Sequence, residues 1–466
     1  MYYKVDFKLC MLWILLVLQV LLVIYYLLMA PSSYAVDYST STPNEFSSSG
    51  LSKTYPIKFV APSSAKTVTR LKEWQGYLTE ANHFTLPDIV AGNYFVKLNN
   101  ETECFVFGTD VGYTKRHTRE IDEPRCECKR GWHGKDCGQP EVIWRAFIAS
   151  RQKISPRRRS RPRRIILGFP VVGLESTVAE IKLQELAYVV DYFIISESNH
   201  TANGGTKPLH FRQKLNEKAF LPQNIRRKLL YMPYTNFHYK QTVNLGGSYS
   251  KSIRQFLWHR GKATLTNLRS DDLYIDSTDA YEIPNPKALL FFKLYDGWPL
   301  PVAFRLRWSA YGFFWQHPKR TIIAPGAYTV GIMDDIFPSR YHLAIPGQED
   351  SDGSASMYGL VVGDLNHYGG WYCSWCLEPN DMVTVLQWTP RDASPVDWEK
   401  VSQKKIDTAY IEDLIGTGVW LDGTTSLIRK SQHRDPYFAP EYVVNNTWKY
   451  DFLYTNFYSK LDYYNN

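Results

Sequence analysis

Beyond residue 30 the sequence has no second apolar run of membrane-spanning length, which argues against a multi-pass helical membrane protein. It also has little net charge of either sign once one short run is set aside. Arg157, Arg158, Arg159, Arg161, Arg163 and Arg164 fall within eight residues, and without them the formal charge of +8 is nearly cancelled. Composition therefore gives no argument for a nucleic-acid partner. Cysteine is sparse, with seven in 466 residues. Residues 31–56 lack any helical or strand period and are rich in Ser, Thr and Pro, which suits a flexible stem. Apolar side chains are not scarce. Hydrophobic residues make up 44% and aromatics 15%, so wholesale disorder is excluded. The length allows one domain of about 250–300 residues with accessory segments.

The apolar run is Leu9 to Ala30, uncharged and with one strongly polar side chain, Gln19. As a helix it would be about 33 Å long, against a hydrocarbon core of roughly 30 Å. Ser33-Tyr34-Ala35 also fits a small-residue cleavage site, but the run is long for a signal peptide. Lys4 and Lys8 precede the run and the next basic residue is Lys53. The positive-inside rule then predicts a cytosolic tail (1–8), a type II signal anchor (9–30) and a luminal remainder. Sequons at Asn100, Asn199 and Asn445 agree with a luminal location. Cys10 lies in the anchor, leaving six luminal cysteines, an even number that suits an oxidising compartment.

The expected order after the anchor is a stem (31–100), a cysteine-rich module (101–140), a basic linker (141–164), a main domain (165–450) and a C-terminal tail (451–466). Arg161-Pro-Arg163-Arg164 also fits a proprotein-convertase consensus, although a solvated linker is the simpler expectation. From Ile165 onward short apolar runs alternate with helical patterns. IILGFP (165–170), VVDYFIIS (189–196), KLLYMP (228–233) and DLYID (272–276) read as buried strands. Residues 174–188 carry Val178, Ile181 and Leu186 at near-helical spacing, with Thr177 and Glu180 placed as a capping box. Helical patterns also cover 211–220 and 249–268. The alternation predicts an α/β fold with a mostly parallel sheet covered on both faces.

Ligands of such sheets sit beyond the carboxyl ends of the strands. Asp276, Asp279 and Glu282 fall just beyond DLYID, where clustered carboxylates either hold Mg²⁺ or Mn²⁺ or form a solvated acidic turn. Asp364, His367 and Asp422 are candidates for a general base. Cys373-x-x-Cys376 suggests redox chemistry, zinc or a disulfide. With His367 it falls short of four zinc ligands, which favours the disulfide. Trp371 and Trp375 are either sugar-stacking platforms or core.

Two resemblances sharpen these expectations. CECKRGWHGKDCG (126–138) resembles the C-terminal half of an EGF-like module, truncated because two of the usual six cysteines are missing. The resemblance implies Cys104–Cys126 and Cys128–Cys137 disulfides, in a module that serves either as a protein-binding domain or as a stapled spacer. More of the chain, from about Cys126 to Tyr442, resembles the β-1,4-mannosyl-glycoprotein 4-β-N-acetylglucosaminyltransferase family. The segments that carry it are ESNHTANGGTKPLHF (197–211), RSDDLYID…DAYEIP (269–284), LLFFKLYDGW (289–298), SAYGFFW (309–315) and GGWYCSWC (369–376).

That resemblance implies a GT-A-like domain in the Golgi lumen that uses UDP-GlcNAc and a divalent metal, normally Mn²⁺. The acceptor would be the β-linked core mannose of an N-glycan, with inversion at the anomeric centre. Glu197 and Asn199 become candidates for substrate contact, and Asp279 and Glu282 for the metal. One departure stands out. Where the family reads Asp-Asp-Ala-Asp-Glu, this chain reads Thr278-Asp279-Ala280-Tyr281-Glu282, and a phenol is a poor metal ligand at neutral pH. Two alternatives follow from Tyr281: a transferase with another donor or acceptor, and a catalytically silent glycan- or protein-binding membrane protein.

Overall fold

The structure is a computed structural model that describes residues 17–19, 57–60, 78–80, 83–88, 94–99, 102–117, 125–150, 152–235, 249–336, 359–389 and 406–459. The chain divides into two units, Met1–Ser52 and Lys53–Asn466. In the first, the described residues 17–19 are helical and exposed, and the rest of the expected anchor lies outside the described residues. Among the described residues no helix is long and apolar enough to cross a membrane.

The second unit is a mixed α/β fold around one large sheet. Its strands are β1 (Ile57–Phe59), β2 (Leu78–Glu80), β3 (Ile165–Val171), β4 (Tyr192–Ser198), β5 (Leu229–Tyr234), β6 (Leu273–Asp276) and β7 (Glu282–Pro284). They continue with β8 (Val302–Ala310), β9 (Gly312–Thr329), β10 (Leu360–Val362), β11 (Gly370–Ser374) and β12 (Ile428–Arg429). The order is β7-β11-β8-β9-β6-β3-β4-β5-β1-β2, with β10 also on β8 and β12 on β9. The run β6-β3-β4-β5-β1-β2 is parallel throughout, while β9 enters antiparallel to both β6 and β8. The sheet is therefore mostly parallel, as the strand and helix alternation predicts.

Helices α1 (Glu141–Ala149), α2 (Ser176–Leu186), α3 (His210–Leu215), α4 (Tyr249–Thr264), α5 (Pro286–Leu294), α6 (Pro379–Trp388) and α7 (Thr408–Thr417) surround the sheet. Side chains of a strand point alternately to its two faces. On β3, Ile165, Leu167, Phe169 and Val171 enter one core with Leu183 and Phe291, while Ile166 enters a second with Leu257 and Trp258 of α4. Strand β4 divides in the same way, with Phe193 and Ile195 on one face and Tyr192 and Ile194 on the other. This explains why the central strands read as continuous apolar runs. Gly168 interrupts the run because Tyr274 crosses over it, and an added Cβ would lie 2.2 Å from the Tyr274 hydroxyl.

Several boundaries differ from the sequence expectation. Part of the expected stem joins the sheet, because Ile57 and Phe59 are buried and β1 pairs with β5. The basic linker is folded. It contains α1, and Arg163 and Arg164 are buried. Arg159 and Arg163 both pair with Asp296, and Arg164 forms a fork on the buried Asp272. Clustered like charges are tolerated here because three carboxylates face them: Arg159 and Arg163 share Asp296, Arg159 also meets Asp271, and Arg164 takes Asp272. Helix α2 starts at Ser176 with Glu175 at its N-cap, so Thr177 does not cap it. Glu180 instead pairs with Lys449, a tertiary partner that local spacing does not reveal.

The cysteine-rich module is stapled by Cys104–Cys126 and Cys128–Cys137, and a third disulfide joins Cys373 to Cys376. The module packs onto the main domain. Tyr295 Oη donates to Asp136 at 2.6 Å, while inside the module Trp132 lies 5.3 Å from Phe105, centroid to centroid. Gly138 permits this approach, since its Cβ would fall 1.7 Å from the Tyr295 hydroxyl.

Candidate active site

A cavity of about 220 Å³ opens beyond the carboxyl ends of the parallel strands. It is framed by Val172 and Gly173 after β3, Thr201 and Ala202 after β4, and Asp279 and Tyr281 in the turn after β6. Ser374 and Trp375 at the end of β11, and Val385 and Trp388 on α6, close the far side. Topology brings these together, because parallel strands deliver all their carboxyl ends to one edge.

The turn 277–281 is fixed by its own polar groups. Ser277 N donates to Gly168 O at 3.0 Å, and Tyr281 N donates to Asp279 Oδ1 at 2.8 Å. Asp279 lines the cavity together with Tyr372, whose hydroxyl is kept protonated by burial and by the Asp279 charge. Burial, reinforced by repulsion from Glu282, pushes the Asp279 pKa up to about 7, against the opposing pull of Lys182. Lys182 is fully buried on α2 and donates to Ser277 Oγ at 2.7 Å and Asp279 O at 2.9 Å. Burial lowers its pKa to about 8, although Glu282 and Asp279 favour its charged form.

The other two expected metal ligands are engaged elsewhere. Asp276 forms a fork with Arg254 Nε, at 3.1 Å, and Nη2. Glu282 accepts from Ser277 Oγ at 2.7 Å, Thr278 N at 3.0 Å and Thr278 Oγ1. Tyr281, where the resemblance leads one to expect aspartate, turns its ring to the cavity 6.4 Å from the Tyr372 centroid. Among the described residues no group of three or more His, Cys, Asp or Glu side chains is arranged to hold a metal ion. The expected Asp276–Asp279–Glu282 set thus does not fit Mn²⁺ or Mg²⁺, because two of its carboxylates are spent on protein donors.

The remaining expected residues divide similarly. Trp375 lines the cavity, with its backbone at φ 56°. Trp371 does not: it is buried in core, and its Nε1 donates to Tyr437 O at 2.9 Å. Asp364 and His367 precede β11, at the end of that strand opposite Ser374. Asp364 Oδ1 accepts from the amides of Asn366 and His367, both at 2.7 Å. Asp422 caps its own turn through Thr424 N, Thr425 N and Thr425 Oγ1. None of these three lines the cavity, so the geometry brings no expected base to it. Their Asx-type self-bonding explains why polar residues in loops look functional in sequence.

Glu197 is buried and serves the protein, accepting from Phe211 N, Arg212 N and Tyr231 Oη at 2.8–2.9 Å. Burial raises its pKa to about 7. Asn199 is half-buried and its Oδ1 lacks a protein hydrogen-bond donor. Asn445 is exposed at the end of a short helix, and Asn100 lies outside the described residues.

Sequence reasoning missed several residues. Lys207 Nζ is buried without a hydrogen-bond acceptor, and His210 Nε2 and Ser196 Oγ are also unsatisfied. With Asn199 they span fifteen residues around β4 and the loop after it, beside the cavity edge at Thr201 and Ala202. Buried unsatisfied groups are rare enough to require explanation, and a ligand is one. His210 also stacks on Trp388, which lines the cavity, at 6.0 Å. Lys182 had a legible signal. It sits four residues from both Val178 and Leu186, on the apolar stripe of α2, where a lysine is out of place without a partner.

Residues 154–324, which include β3 to β8 and the Asp279 turn, match glycosyltransferase family 17. The chain is 34% identical over 346 residues to the Homo sapiens β-1,4-mannosyl-glycoprotein 4-β-N-acetylglucosaminyltransferase, covering 72% of this chain and 63% of that protein. The chain belongs to glycosyltransferase family 17. The Rattus norvegicus and Mus musculus proteins of the same description are each 33% identical over 342 residues, covering 71% of this chain and 61% of theirs. This family 17 chain therefore aligns with less than two thirds of the length of these relatives. No solved structure matches it.

Proposed function

We propose that this family 17 chain transfers N-acetylglucosamine from UDP-GlcNAc to the β-linked core mannose of N-glycans, with inversion, from a GT-A-like domain. The observation that supports it best is the Asp279 cavity at the carboxyl edge of the sheet. It lies next to aromatic walls and close in sequence to Asn199 Oδ1 and Lys207 Nζ, buried atoms on the loop after β4 that make no hydrogen bond within the protein, although Glu197 and Glu175 attract the Lys207 ammonium. Tyr249, Tyr281, Tyr372 and Trp388 offer apolar faces to a base or a sugar ring, and Asn199 and Lys207 offer an acceptor and a donor to its hydroxyls. Asp279 is the carboxyl group of the expected set that faces the cavity, and we assign it to substrate.

With Asp276 and Glu282 committed to Arg254, Ser277 and Thr278, the reading contains no metal-dependent step. In an inverting transfer the acceptor oxygen attacks the anomeric carbon as the UDP oxygen departs from the opposite side, and the acceptor proton passes to a base. The chain is placed by this reading in the Golgi membrane, held by the 9–30 segment as a single-pass type II anchor.

The test incubates the full chain with UDP-GlcNAc and a biantennary N-glycan, with Mn²⁺ or with EDTA, and follows the glycan by mass spectrometry. The expected result is a gain of one GlcNAc that is lost in Asp279→Asn, with the circular dichroism unchanged. Turnover retained in that variant, or no gain from folded protein, overturns the reading. A second reading, a different donor or acceptor, is favoured by one observation: Tyr281 presents a ring to the cavity where the family pattern has a carboxylate. Screening other nucleotide sugars and glycans separates the two.

A further inference from the structure

A second cavity, of about 290 Å³, lies at the start of β9 and shares no residue with the Asp279 cavity. Phe314 and Trp315 of β9, Phe438 and Tyr454 provide its aromatic surfaces, and Arg429 and Lys430 its cationic ones. Among the described residues the rest of its lining is neutral or histidine, and no carboxylate contributes. The nearest acidic residue in sequence, Asp435, is held by the buried Arg307 at 3.2 Å.

The walls are anchored independently of any ligand. Trp315 Nε1 donates to Ile415 O at 2.8 Å, and Asn456 Nδ2 donates to the same carbonyl at 3.1 Å. Lys430 N donates to Phe314 O at 2.9 Å, and β12 pairs Arg429 with Trp315. Phe438 packs edge-on against Tyr454 at 5.2 Å. A preformed pocket of this kind binds without first spending free energy on ordering its walls.

From this lining we infer that the second cavity binds an anionic saccharide. Aromatic surfaces favour the C–H faces of a sugar ring, and a guanidinium and an ammonium together favour a carboxylate or phosphate on it. An uncharged sugar leaves the Lys430 ammonium unused, and a bare anion leaves the aromatic surfaces unused. The volume is at the lower bound of roughly 300 Å³ for ligand pockets, which suits one residue of a glycan and not a whole antenna. The inference rests on this lining alone and is independent of the transferase reading.

The test measures binding to the full chain by calorimetry, using sialyllactose, glucose 6-phosphate, lactose and inorganic phosphate as separate probes. We expect sialyllactose or glucose 6-phosphate to bind at least tenfold more tightly than lactose, the stronger of the two identifying the anion. Lys430→Glu should weaken that probe at least tenfold while the circular dichroism is unchanged. Because the Lys430 side chain is only half-buried, this variant should fold, and its melting temperature checks that it does. Equal binding of lactose overturns the inference. So does binding of phosphate without either acidic sugar, and so does affinity unaltered in both Lys430→Glu and Arg429→Glu.

Discussion

Arg164→Ala tests the claim that the arginine run is structural. Arg164 and Asp272 are both fully buried. The guanidinium donates to Asp272 from Nε at 3.0 and 3.1 Å and from Nη2 at 2.5 Å, and to the carbonyls of Leu86 and Asn267. Removing one partner of a buried pair costs about 3–5 kcal/mol, because the other charge is left uncompensated. Asp272 would keep Arg269, whose amide and Nε approach at 2.8 and 3.2 Å, so the lower end, about 3 kcal/mol, is expected. Arg164→Lys keeps the charge but loses the fork, at roughly 1.5 kcal/mol, the worth of one charge-assisted hydrogen bond. Urea unfolding followed by tryptophan fluorescence should rank wild type, Arg164→Lys and Arg164→Ala in that order of falling stability. A proprotein convertase offers a second readout, since it needs Arg161 to Arg164 as an extended strand. The folded wild type should resist cleavage until urea unfolds it. A loss below about 1 kcal/mol in Arg164→Ala, or cleavage of folded protein at a urea-independent rate, would refute the reasoning.

Tyr281→Asp places a second carboxylate beside Asp279, and Mn²⁺ affinity measured by calorimetry should rise at least tenfold over wild type; no change would show that Asp279 does not face a site where a cation fits. Glu185 is buried and its pKa is raised to about 7 by desolvation. The folded state therefore holds its proton where the unfolded chain has released it, and this residue subtracts stability as pH rises from about 4.5 to about 7. Glu185→Gln should flatten that part of the stability–pH curve, by on the order of 1–3 kcal/mol at pH 7, and an unchanged slope would disprove the assignment. Gly168→Ala should destabilise by about 1–3 kcal/mol through the Tyr274 hydroxyl, and Tyr274→Phe should recover part of the loss in a double-mutant cycle.

Much of the fold was legible because its signals are local. IILGFP and DLYID are apolar runs bounded by polar or turn residues, and they form β3 and β6 within a residue or so of the expected limits. The KLLYMP strand reads equally well, whereas the helix that begins at Tyr249 ends at Thr264, four residues short of the expected limit, where Leu265 and Thr266 form a short strand. Boundaries failed where a distant segment supplied the reason. Ile57 and Phe59 look like stem until Tyr231 lies beside them, and Glu180 looks like a cap until Lys449 takes its carboxylate.

The site was half legible for the same reason. Sequence placed Asp276, Asp279 and Glu282 together beyond a strand, and the chain folds them there. It could not show that Arg254 and Thr278 consume two of the three carboxylates, because a hydrogen bond depends on side-chain direction and not on spacing. Composition and pattern determined the α/β class, and the shared segments determined the family, since both are written in consecutive residues. Tertiary structure alone decided which polar groups remain free for a ligand. That is set by what packs against each group: Asn199 Oδ1 and Lys207 Nζ are left without a hydrogen-bond partner on the loop after β4, and Asp279 shares a cavity with Trp375, Tyr372 and Trp388 only when strands far apart in the chain end at one edge.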